Sequence, residues 1–354
     1  MPLPTLIVAL LLGLLLLNQH VQATSRLRWK LRLLTLEFGH WITLLSAVSV
    51  AFTWQNTLLL VIGAGFLRPT IQALRIARQR KLPFSMFRLF WPFGLGNGVS
   101  VERRPFWQNG PQSLDVVIYR PETASGGSKR RCVLAFHTGG WDSGDPGEFR
   151  TANRAIVSRC GVVICSFGYR LAPEHPWPAQ MDDVRRAVAW TRENAADLGI
   201  DADDLILLGR SAGGQIATAC AFACDELRVS GCIGVYGVPD MFFAREWSYP
   251  NDILNSLKLV RQYMRGDPDE SPDNYHTASA LRHIRDDSPR TLLIHGASDG
   301  LVWVEHSRRM TQLIADPARC DLLELPWGDH GCDYFPHSPG GQLALAEIER
   351  FLKA

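Results

Sequence analysis

A serine flanked by glycines is the residue of this chain best placed to act as a nucleophile. The segment Gly209-Arg210-Ser211-Ala212-Gly213 follows an apolar stretch and precedes an alanine-rich stretch with the pattern of a helix. A serine at such a strand-turn-helix elbow has a strained backbone, and glycines on either side avoid collisions with neighbouring chain. The motif is short, and a glycine-rich turn that opens a helix is the other interpretation. Ser211 is therefore a candidate nucleophile whose partners must be found elsewhere.

Two later segments contain the acid and the base that a nucleophilic serine needs. A histidine takes the hydroxyl proton, and a carboxylate orients the histidine. Asp299 lies in a loop after an apolar strand that ends near His295, and His330 lies in a loop after the final apolar strand. His295 is expected to face the core, and Asp329 adjoins the histidine with poor geometry for orienting it. The sequence thus predicts Ser211, Asp299 and His330 as a catalytic triad.

Two glycines after an earlier strand could stabilise negative charge on a carbonyl oxygen. Residues 137–141 read His-Thr-Gly-Gly-Trp, and the N–H groups of Gly139 and Gly140 have no side chain to cover them. The residue after the nucleophile, Ala212, adds a third donor. An ordinary glycine turn is the alternative, and the serine elbow further along the chain favours an oxyanion hole formed by these three residues.

These segments together resemble the α/β-hydrolase superfamily, and within it the hormone-sensitive-lipase-like carboxylesterases and their relatives. The resemblance covers about residues 113–354 and depends on segments 137–141, 169–179 and 209–214. Family members have the chain order serine, acid, histidine, which the three triad candidates follow. The resemblance implies that Ser211 attacks an ester carbonyl, that His330 relays the proton and that Asp299 orients the histidine. It implies no cofactor.

Two positions depart from the pattern of that family. Thr138 replaces the first glycine of the His-Gly-Gly-Gly oxyanion signature, and Arg210 stands where the lipase-like branch commonly has Asp. The sequence Gly-Arg-Ser-Ala-Gly-Gly is more similar to the branch that includes membrane-bound isoprenylcysteine methylesterases, which also tends to carry N-terminal membrane helices. The substrate stays open between the two branches.

The elements that must position these residues alternate between short apolar strands and amphipathic helices. Strands are predicted near 114–119, 132–137, 162–169, 205–209, 231–236, 291–295 and 322–325, and helices near 150–159, 179–198, 212–224, 304–315 and 341–352. This alternation is typical of a mostly parallel sheet with helices on both faces. We therefore expect an α/β-hydrolase fold over residues 113–354.

A long insertion at about 240–289 separates two of the predicted strands. In this architecture such an insertion is expected to cap the site, and its aromatic residues favour an apolar acyl or alcohol group. Packing within the insertion is the alternative explanation of those aromatic residues. The partner expected from the sequence is therefore a small-molecule ester, apolar in character.

Charge and cysteine content exclude several other functions. The 354 residues carry a net charge of +2, which argues against a nucleic-acid or polyanionic partner. All eight cysteines lie beyond residue 130, mostly within apolar patterns, and are expected to be free core thiols in a reducing compartment. Their spacing does not match a zinc site, so we expect no structural metal. The sequence does not indicate an oligomeric state.

The first 81 residues are rich in apolar side chains and are predicted to anchor the protein in a membrane through about three helices. An apolar run at 6–17, which no positive charge precedes, is either a cleaved signal peptide or part of a membrane helix at 3–21. A second apolar region at 33–67 has basic residues on both sides. That favours a two-helix hairpin turning near Gln55 and Asn56, a multi-pass membrane protein and a cytoplasmic catalytic domain.

Residues 82–112 are expected to form a linker. Aromatic and basic residues crowd together there, so the segment either lies in the membrane interface or covers the catalytic domain.

Three functions are compared on this basis. A serine carboxylic-ester hydrolase uses every residue singled out above. A membrane-tethered binding protein that has lost its chemistry, as in the gibberellin receptors that resemble this family, would lack a member of the triad. A serine peptidase on the same fold would usually carry a β-propeller or another large domain, for which this sequence has no room.

Overall fold

The computed structural model describes residues 3–123 and 128–354. The chain folds into two compact units. The first consists of Met1–Phe93, Gly296–Trp303 and Glu324–Glu347, and the second consists of Gly94–His295, Val304–Leu323 and Ile348–Ala354.

Eight strands form one sheet in the spatial order β1-β2-β4-β3-β5-β6-β7-β8. They are β1 (Val99–Asn109), β2 (Gln112–Pro121), β3 (Arg130–Phe136), β4 (Val163–Phe167), β5 (Ile200–Arg210), β6 (Gly231–Val235), β7 (Arg290–Gly296) and β8 (Cys320–Leu325). The pairs β1–β2 and β2–β4 are antiparallel, and the pairs from β4 through β3, β5 and β6 to β7 are parallel. Every residue of β4 and β6 is buried, as expected of strands covered on both faces.

Helices follow most of these strands. In the second unit they are α6 (Arg150–Cys160), α7 (Ala179–Glu193), α8 (Ala195–Leu198), α9 (Ala212–Ala223), α10 (Met241–Glu246), α11 (Ser256–Met264), α12 (Pro272–Ala278) and α13 (Glu305–Ile314), and α14 (Pro339–Lys353) ends the chain. The predicted order of strands and helices from residue 113 onwards is confirmed, except that the helix predicted over 179–198 is two helices separated at Asn194. The insertion at 240–289 holds α10, α11 and α12.

Strand β1 is the main departure from the sequence prediction. It lies within 82–112, so the expectation of a linker is wrong for Val99–Asn109, which pairs with β2 from Val99↔Pro121 to Asn109↔Gln112. Its residues are mostly exposed or half-buried, and the register shifts between Pro105 and Trp107, as an edge strand permits. Charged residues and a proline in the strand concealed it in the sequence.

The cysteines are packed as the sequence predicted. All eight are free; seven are buried, and Cys160 is half-buried.

The first unit is built on four N-terminal helices and a short fifth one. They are α1 (Leu3–Asn18), α2 (Arg26–Phe52), α3 (Thr57–Gly65), α4 (Arg68–Arg80) and α5 (Met86–Phe90). Helices α2 and α3 are joined by a short 3-10 turn at Trp54–Asn56, where the sequence predicts the turn between two helices. The Thr43 hydroxyl donates to the Gly63 carbonyl at 2.6 Å. A Cβ on Gly63 would lie 2.7 Å from Ser46 Oγ, so only glycine permits this approach.

The lengths of these helices limit which of them could cross a membrane. In the described part of the chain, α2 is the one single helix that is both long enough and apolar enough. Its start at Arg26 is earlier than the predicted start near residue 33. The apolar helix α1 has only 16 residues. Helices α3 and α4 could form a further span only together, and the pair is bent by 42°.

Candidate active site

The backbone around Ser211 has the strained geometry that a nucleophile elbow requires. Strand β5 ends at Arg210, α9 begins at Ala212, and Ser211 between them has φ 53° and ψ −120°. That conformation costs free energy for a residue with a side chain and persists only where surrounding structure holds it. A Cβ on Gly209 would lie 1.9 Å from the Gly213 carbonyl oxygen. The local geometry predicted for the elbow is therefore present.

The loop after β3 turns sharply at its two glycines. Gly139 has φ +117° and Gly140 has φ +61°. A Cβ on Gly139 would lie 2.0 Å from the Ser143 carbonyl oxygen, and one on Gly140 would lie 3.0 Å from Leu259 Cδ1. Glycine is thus required at the first position by both conformation and space. The second contact shows that α11 of the insertion packs against this loop.

Hydrogen bonds that the sequence analysis missed hold the same loop. The Thr138 hydroxyl donates to Glu148 Oε2 at 2.6 Å. The Tyr169 hydroxyl donates to the His137 carbonyl at 3.0 Å, and its ring stacks on the His137 ring with centroids 4.1 Å apart. Thr138 therefore supplies an anchor that the glycine of the family signature could not.

Gln215 ties three segments of the second unit together. It lies in the first turn of α9, and its Oε1 accepts hydrogen bonds from Trp141 Nε1 at 3.1 Å and from the Tyr263 hydroxyl at 2.9 Å. Its Nε2 donates to the Ala278 carbonyl at 2.9 Å. The nucleophile helix, the glycine loop and the insertion thus share one buried amide. A glutamine inside an otherwise apolar helix was the sequence signal for it.

Arg210, the other departure from the family pattern, is buried and packs against α6. Its guanidinium carbon lies 4.4 Å from the centroid of the Phe149 ring, and its Nη1 lies 3.5 Å from Asn153 Oδ1. A cation over an aromatic face is a stabilising contact. These contacts give Arg210 a packing role.

Asp299 and His330 form a buried pair in the first unit. Asp299 Oδ2 lies 2.7 Å from His330 Nδ1, while its Oδ1 accepts the backbone N–H groups of Leu301 at 2.8 Å and Val302 at 2.9 Å. The contact with the carboxylate assigns the Nδ1 proton to that side and leaves Nε2 to accept another proton. Asp329 has a different role: its Oδ1 accepts the backbone N–H of His330 at 2.8 Å.

Charge around His330 favours its protonated form. Burial alone would lower its pKa, but the negative charge of Asp299, the hydrogen bond to it and the charge of Asp329 together raise the pKa of His330 above 6.5. A base with a raised pKa draws a proton more strongly from a hydroxyl group.

Close backbone contact brings the two loops that carry this pair together. A Cβ on Gly296 would lie 2.2 Å from the Gly328 carbonyl oxygen, and the Ser298 N–H donates to the same oxygen at 3.0 Å. His295, expected to face the core, is fully buried, and its Nδ1 lies 2.7 Å from Ser307 Oγ.

The predicted site residues thus fall into two groups. Ser211, Ala212, Gly139 and Gly140 lie in the second unit, and Asp299 pairs with His330 in the first. Ser211 follows β5, while Asp299 and His330 lie in the loops after β7 and β8. Among the residues described, no three His, Cys, Asp or Glu side chains are grouped so that they could hold a metal ion.

Comparison with known proteins identifies the family of the chain. A family model described as alpha/beta hydrolase fold matches residues 133–333, which is more than half of the chain. The chain belongs to the alpha/beta hydrolase fold family. The matched region includes the elbow, the glycine loop and the loops that carry Asp299 and His330.

Curated relatives of this chain are named as esterases. It is 28% identical over 259 residues to "Esterase LipC" of Mycobacterium tuberculosis, an alignment that covers 69% of this chain and 63% of the relative. It is 36% identical over 155 residues to "Carboxylesterase NlhH" of the same organism, covering 44% of this chain and 45% of the relative. The chain therefore spans less than two thirds of the length of these relatives.

Solved structures show the same fold. The Pyrobaculum calidifontis esterase has a TM-score of 0.60 at 22% identity, covering 81% of this chain and 90% of that one. Esterase LipW from Mycobacterium marinum has a TM-score of 0.59 at 24% identity, covering 80% of this chain and 88% of that one.

Proposed function

We propose that this hydrolase is a serine carboxylic-ester hydrolase that acts on an apolar ester. The observation that carries the proposal is the strained Ser211 elbow at the end of β5, in a family whose relatives above are named esterases. The double-glycine loop after β3 and the buried Asp299–His330 pair support it. No cofactor takes part in this chemistry.

The reaction proceeds by two acyl transfers. Ser211 Oγ attacks the ester carbonyl while His330 Nε2 takes its proton, and Asp299 stabilises the imidazolium that forms. The N–H groups of Gly139, Gly140 and Ala212 bind the oxyanion, each contributing roughly 3 kcal/mol to lowering the barrier. His330 returns the proton to the departing alcohol. A water molecule, deprotonated by His330, then attacks the acyl-enzyme, and the acid leaves as the Ser211 hydroxyl is restored.

The insertion supplies an apolar contact beside the glycine loop. Leu259 of α11 lies against Gly140, which places a branched aliphatic side chain next to an oxyanion donor. Among the aromatic residues expected to favour an apolar substrate, Tyr263 is fully buried and packs inside the second unit, whereas Trp247 and Tyr249 are exposed. We assign the preference for an apolar ester to Leu259.

Hydrolysis of p-nitrophenyl esters from acetate to palmitate tests the proposal. The purified protein should release p-nitrophenol, and the Ser211→Ala variant should lose that activity while keeping its folded circular dichroism spectrum. A maximum at short chains indicates a carboxylesterase and one at long chains a lipase. A prenylcysteine methyl ester and a matched amide belong in the same series. Turnover retained by Ser211→Ala would refute the assignment, and no turnover of any ester by the native protein would favour a binding protein.

We further propose that the hairpin of α2 and α3, together with α1, holds the protein at a membrane, with the catalytic residues on the cytoplasmic side. Large apolar side chains on these segments are exposed: Leu10 by 65%, Leu45 by 65%, Phe52 by 85%, Trp54 by 79% and Val61 by 66%. Clusters of apolar side chains exposed on this scale mark membrane or protein interaction sites. The basic residues on both sides of the hairpin favour the cytoplasmic orientation.

The first half of α2 combines exposed leucines with a buried face that carries ionisable residues. Arg32, Glu37 and His40 are buried there, and each meets a polar partner in the first unit: Asp329, Ser338 and the Leu89 carbonyl respectively. The stretch of α2 that carries no ionisable residue is 41–52, about 18 Å long, against a hydrocarbon core of roughly 30 Å. The hairpin enters the membrane and returns to the same side.

Extraction at alkaline pH and flotation with phospholipid vesicles test the attachment. The native protein should stay with the membrane and float, and Leu45→Glu/Phe52→Glu should do so much less while remaining folded. Protease should reach the catalytic residues only in membrane vesicles whose cytoplasmic face points outward. A native protein found in the soluble fraction would contradict the attachment.

A further inference from the structure

Helix α2 packs one face directly on the loop that carries His330. A Cβ on Gly331, the next residue, would lie 3.5 Å from Leu33 Cδ2. The rings of Phe38 and Phe335 meet edge to face with centroids 4.7 Å apart. Further along the same loop, Ser338 Oγ and the Gly340 N–H both donate to Glu37 Oε2. An N-terminal helix is therefore one wall of the acid–base pair.

Arg32 of this helix face brings a positive charge to the loops that carry Asp299 and His330. Its Nη1 lies 3.3 Å from Asp329 Oδ2, and both side chains are buried, with 6% and 0% of their surfaces exposed. A Cβ on Gly300, the residue after Asp299, would lie 3.8 Å from the same Nη1 of Arg32. Arg32 thus adjoins both loops of the pair.

Asp329 joins those two loops to each other. Its Oδ1 accepts the His330 N–H at 2.8 Å and the Gly300 N–H at 3.2 Å. Because Gly300 follows Asp299, one carboxylate fixes the backbone beside the acid and the backbone beside the base. The spacing between Asp299 and His330 therefore depends on the Asp329 Oδ1 keeping its place and its two hydrogen bonds.

Keeping the buried Asp329 side chain ionised costs free energy. Burial and the nearby carboxylate of Asp299 raise the pKa of Asp329 to about 6, whereas Arg32 lowers it. Without Arg32 the pKa of Asp329 would be higher still, and a protonated carboxyl group accepts N–H bonds more weakly. The charges of Asp299 and Asp333 also act on His330 and raise its pKa.

We propose that Arg32 is a positioning residue for Asp299 and His330, so that the acid–base pair is completed by the N-terminal helix region. Arg32 acts through Asp329 and touches neither reacting atom. The proposal rests on the proposed ester hydrolysis, in which His330 is the base. It assigns α2 a part in building the site as well as in membrane attachment.

Charge compensation between Arg32 and Asp329 is the test, made in the full-length protein. Arg32→Met should lower kcat by about 10- to 100-fold with KM changed less than about threefold, because a displaced base slows the chemical step more than binding. Arg32→Lys, which keeps the charge, should recover most of the rate. Arg32→Met/Asp329→Asn should also recover activity, because Asn Oδ1 can accept both N–H groups without a buried charge. Lys30→Met, an exposed neighbour on α2, is the matched control and should keep the native kcat.

A substrate-free measurement separates this proposal from the proposed function. The Nδ1 proton of His330, held by Asp299, should give a far-downfield NMR resonance that Arg32→Met weakens and the double variant restores. If the native protein hydrolyses no ester, the proposed function fails and this resonance still tests the positioning role. A native kcat and resonance in Arg32→Met would overturn the proposal. If Arg32→Met does not fold, the test depends on Arg32→Met/Asp329→Asn. A folded double variant whose kcat is no higher than about 1% of native would also overturn the proposal.

Discussion

Replacing Asp299 by Asn changes the chemistry of the acid–base pair while leaving its shape. Asn Oδ1 can keep the hydrogen bonds from the Leu301 and Val302 N–H groups, at 2.8 and 2.9 Å. Its Nδ2 then faces His330 Nδ1 across the 2.7 Å contact and donates to it. The imidazole proton must move to Nε2, which can no longer accept the proton of Ser211. We expect kcat to fall by roughly 10⁴-fold, since this change of tautomer has that effect in serine hydrolases.

This loss corresponds to about 5 kcal/mol of transition-state stabilisation. Steady-state hydrolysis of a p-nitrophenyl ester gives the rate, and calorimetry checks that the thermal midpoint stays close to native, because the amide keeps two backbone hydrogen bonds. Asp321→Asn is the matched control: its partner Arg350 is exposed, and such a pair contributes little to stability. A loss smaller than about tenfold in Asp299→Asn would show that this carboxylate does not set the histidine tautomer.

The remaining predictions concern the pKa of His330, the glycine loop and Arg210. The Asp299–His330 pair raises the pKa of His330, so kcat/KM should rise with pH through a midpoint above 6.5, and Asp299→Asn should lower that midpoint. The same shift should stabilise the fold below pH 6.5 and lose that effect as pH rises through the folded-state pKa, which thermal melts across pH will show. Gly139→Ala should lower kcat by more than about 100-fold, because a methyl group there collides with the Ser143 carbonyl oxygen and the loop cannot close. Gly199→Ala is the control: Gly199 has φ +66° and open space around it, so the variant should keep kcat and lose about 1 kcal/mol of stability. Arg210→Leu should lower the thermal midpoint and leave the preference for ester chain length unchanged, because its contacts are with Phe149 and Asn153.

Much of the catalytic part could be predicted because its signals are local. Apolar runs identified seven of the eight strands, and glycines at 209 and 213 marked a turn that only glycines can accommodate. Strand β1 escaped detection because an edge strand needs no continuous apolar run. The choice of Asp299 over Asp329 was also possible from the sequence, since a carboxylate adjacent to the histidine in the chain is poorly placed to reach its ring.

Side-chain contacts between separate segments of the chain could not be predicted in the same way. Thr138 looked like a departure from a glycine signature, and its bond to Glu148 depends on how the intervening loop folds. Tyr263 looked like a substrate contact in the insertion, whereas its hydroxyl binds Gln215 in the interior. Each of these contacts depends on side-chain packing that periodicity does not encode.

The sequence by itself determined the serine elbow, the glycine loop and the order of strands that present the acid and the base, because backbone sterics and apolar periodicity act over a few residues. Only the tertiary structure decided that Asp299 reaches His330, and that α2 is a wall of their site. Glu37 and Ser338 are separated by 301 positions in the chain. From the sequence alone, a charged residue in an apolar helix is interpreted as the end of the apolar segment. Arg32 and Glu37 are instead buried inside the protein, because each has a polar partner in the catalytic loop.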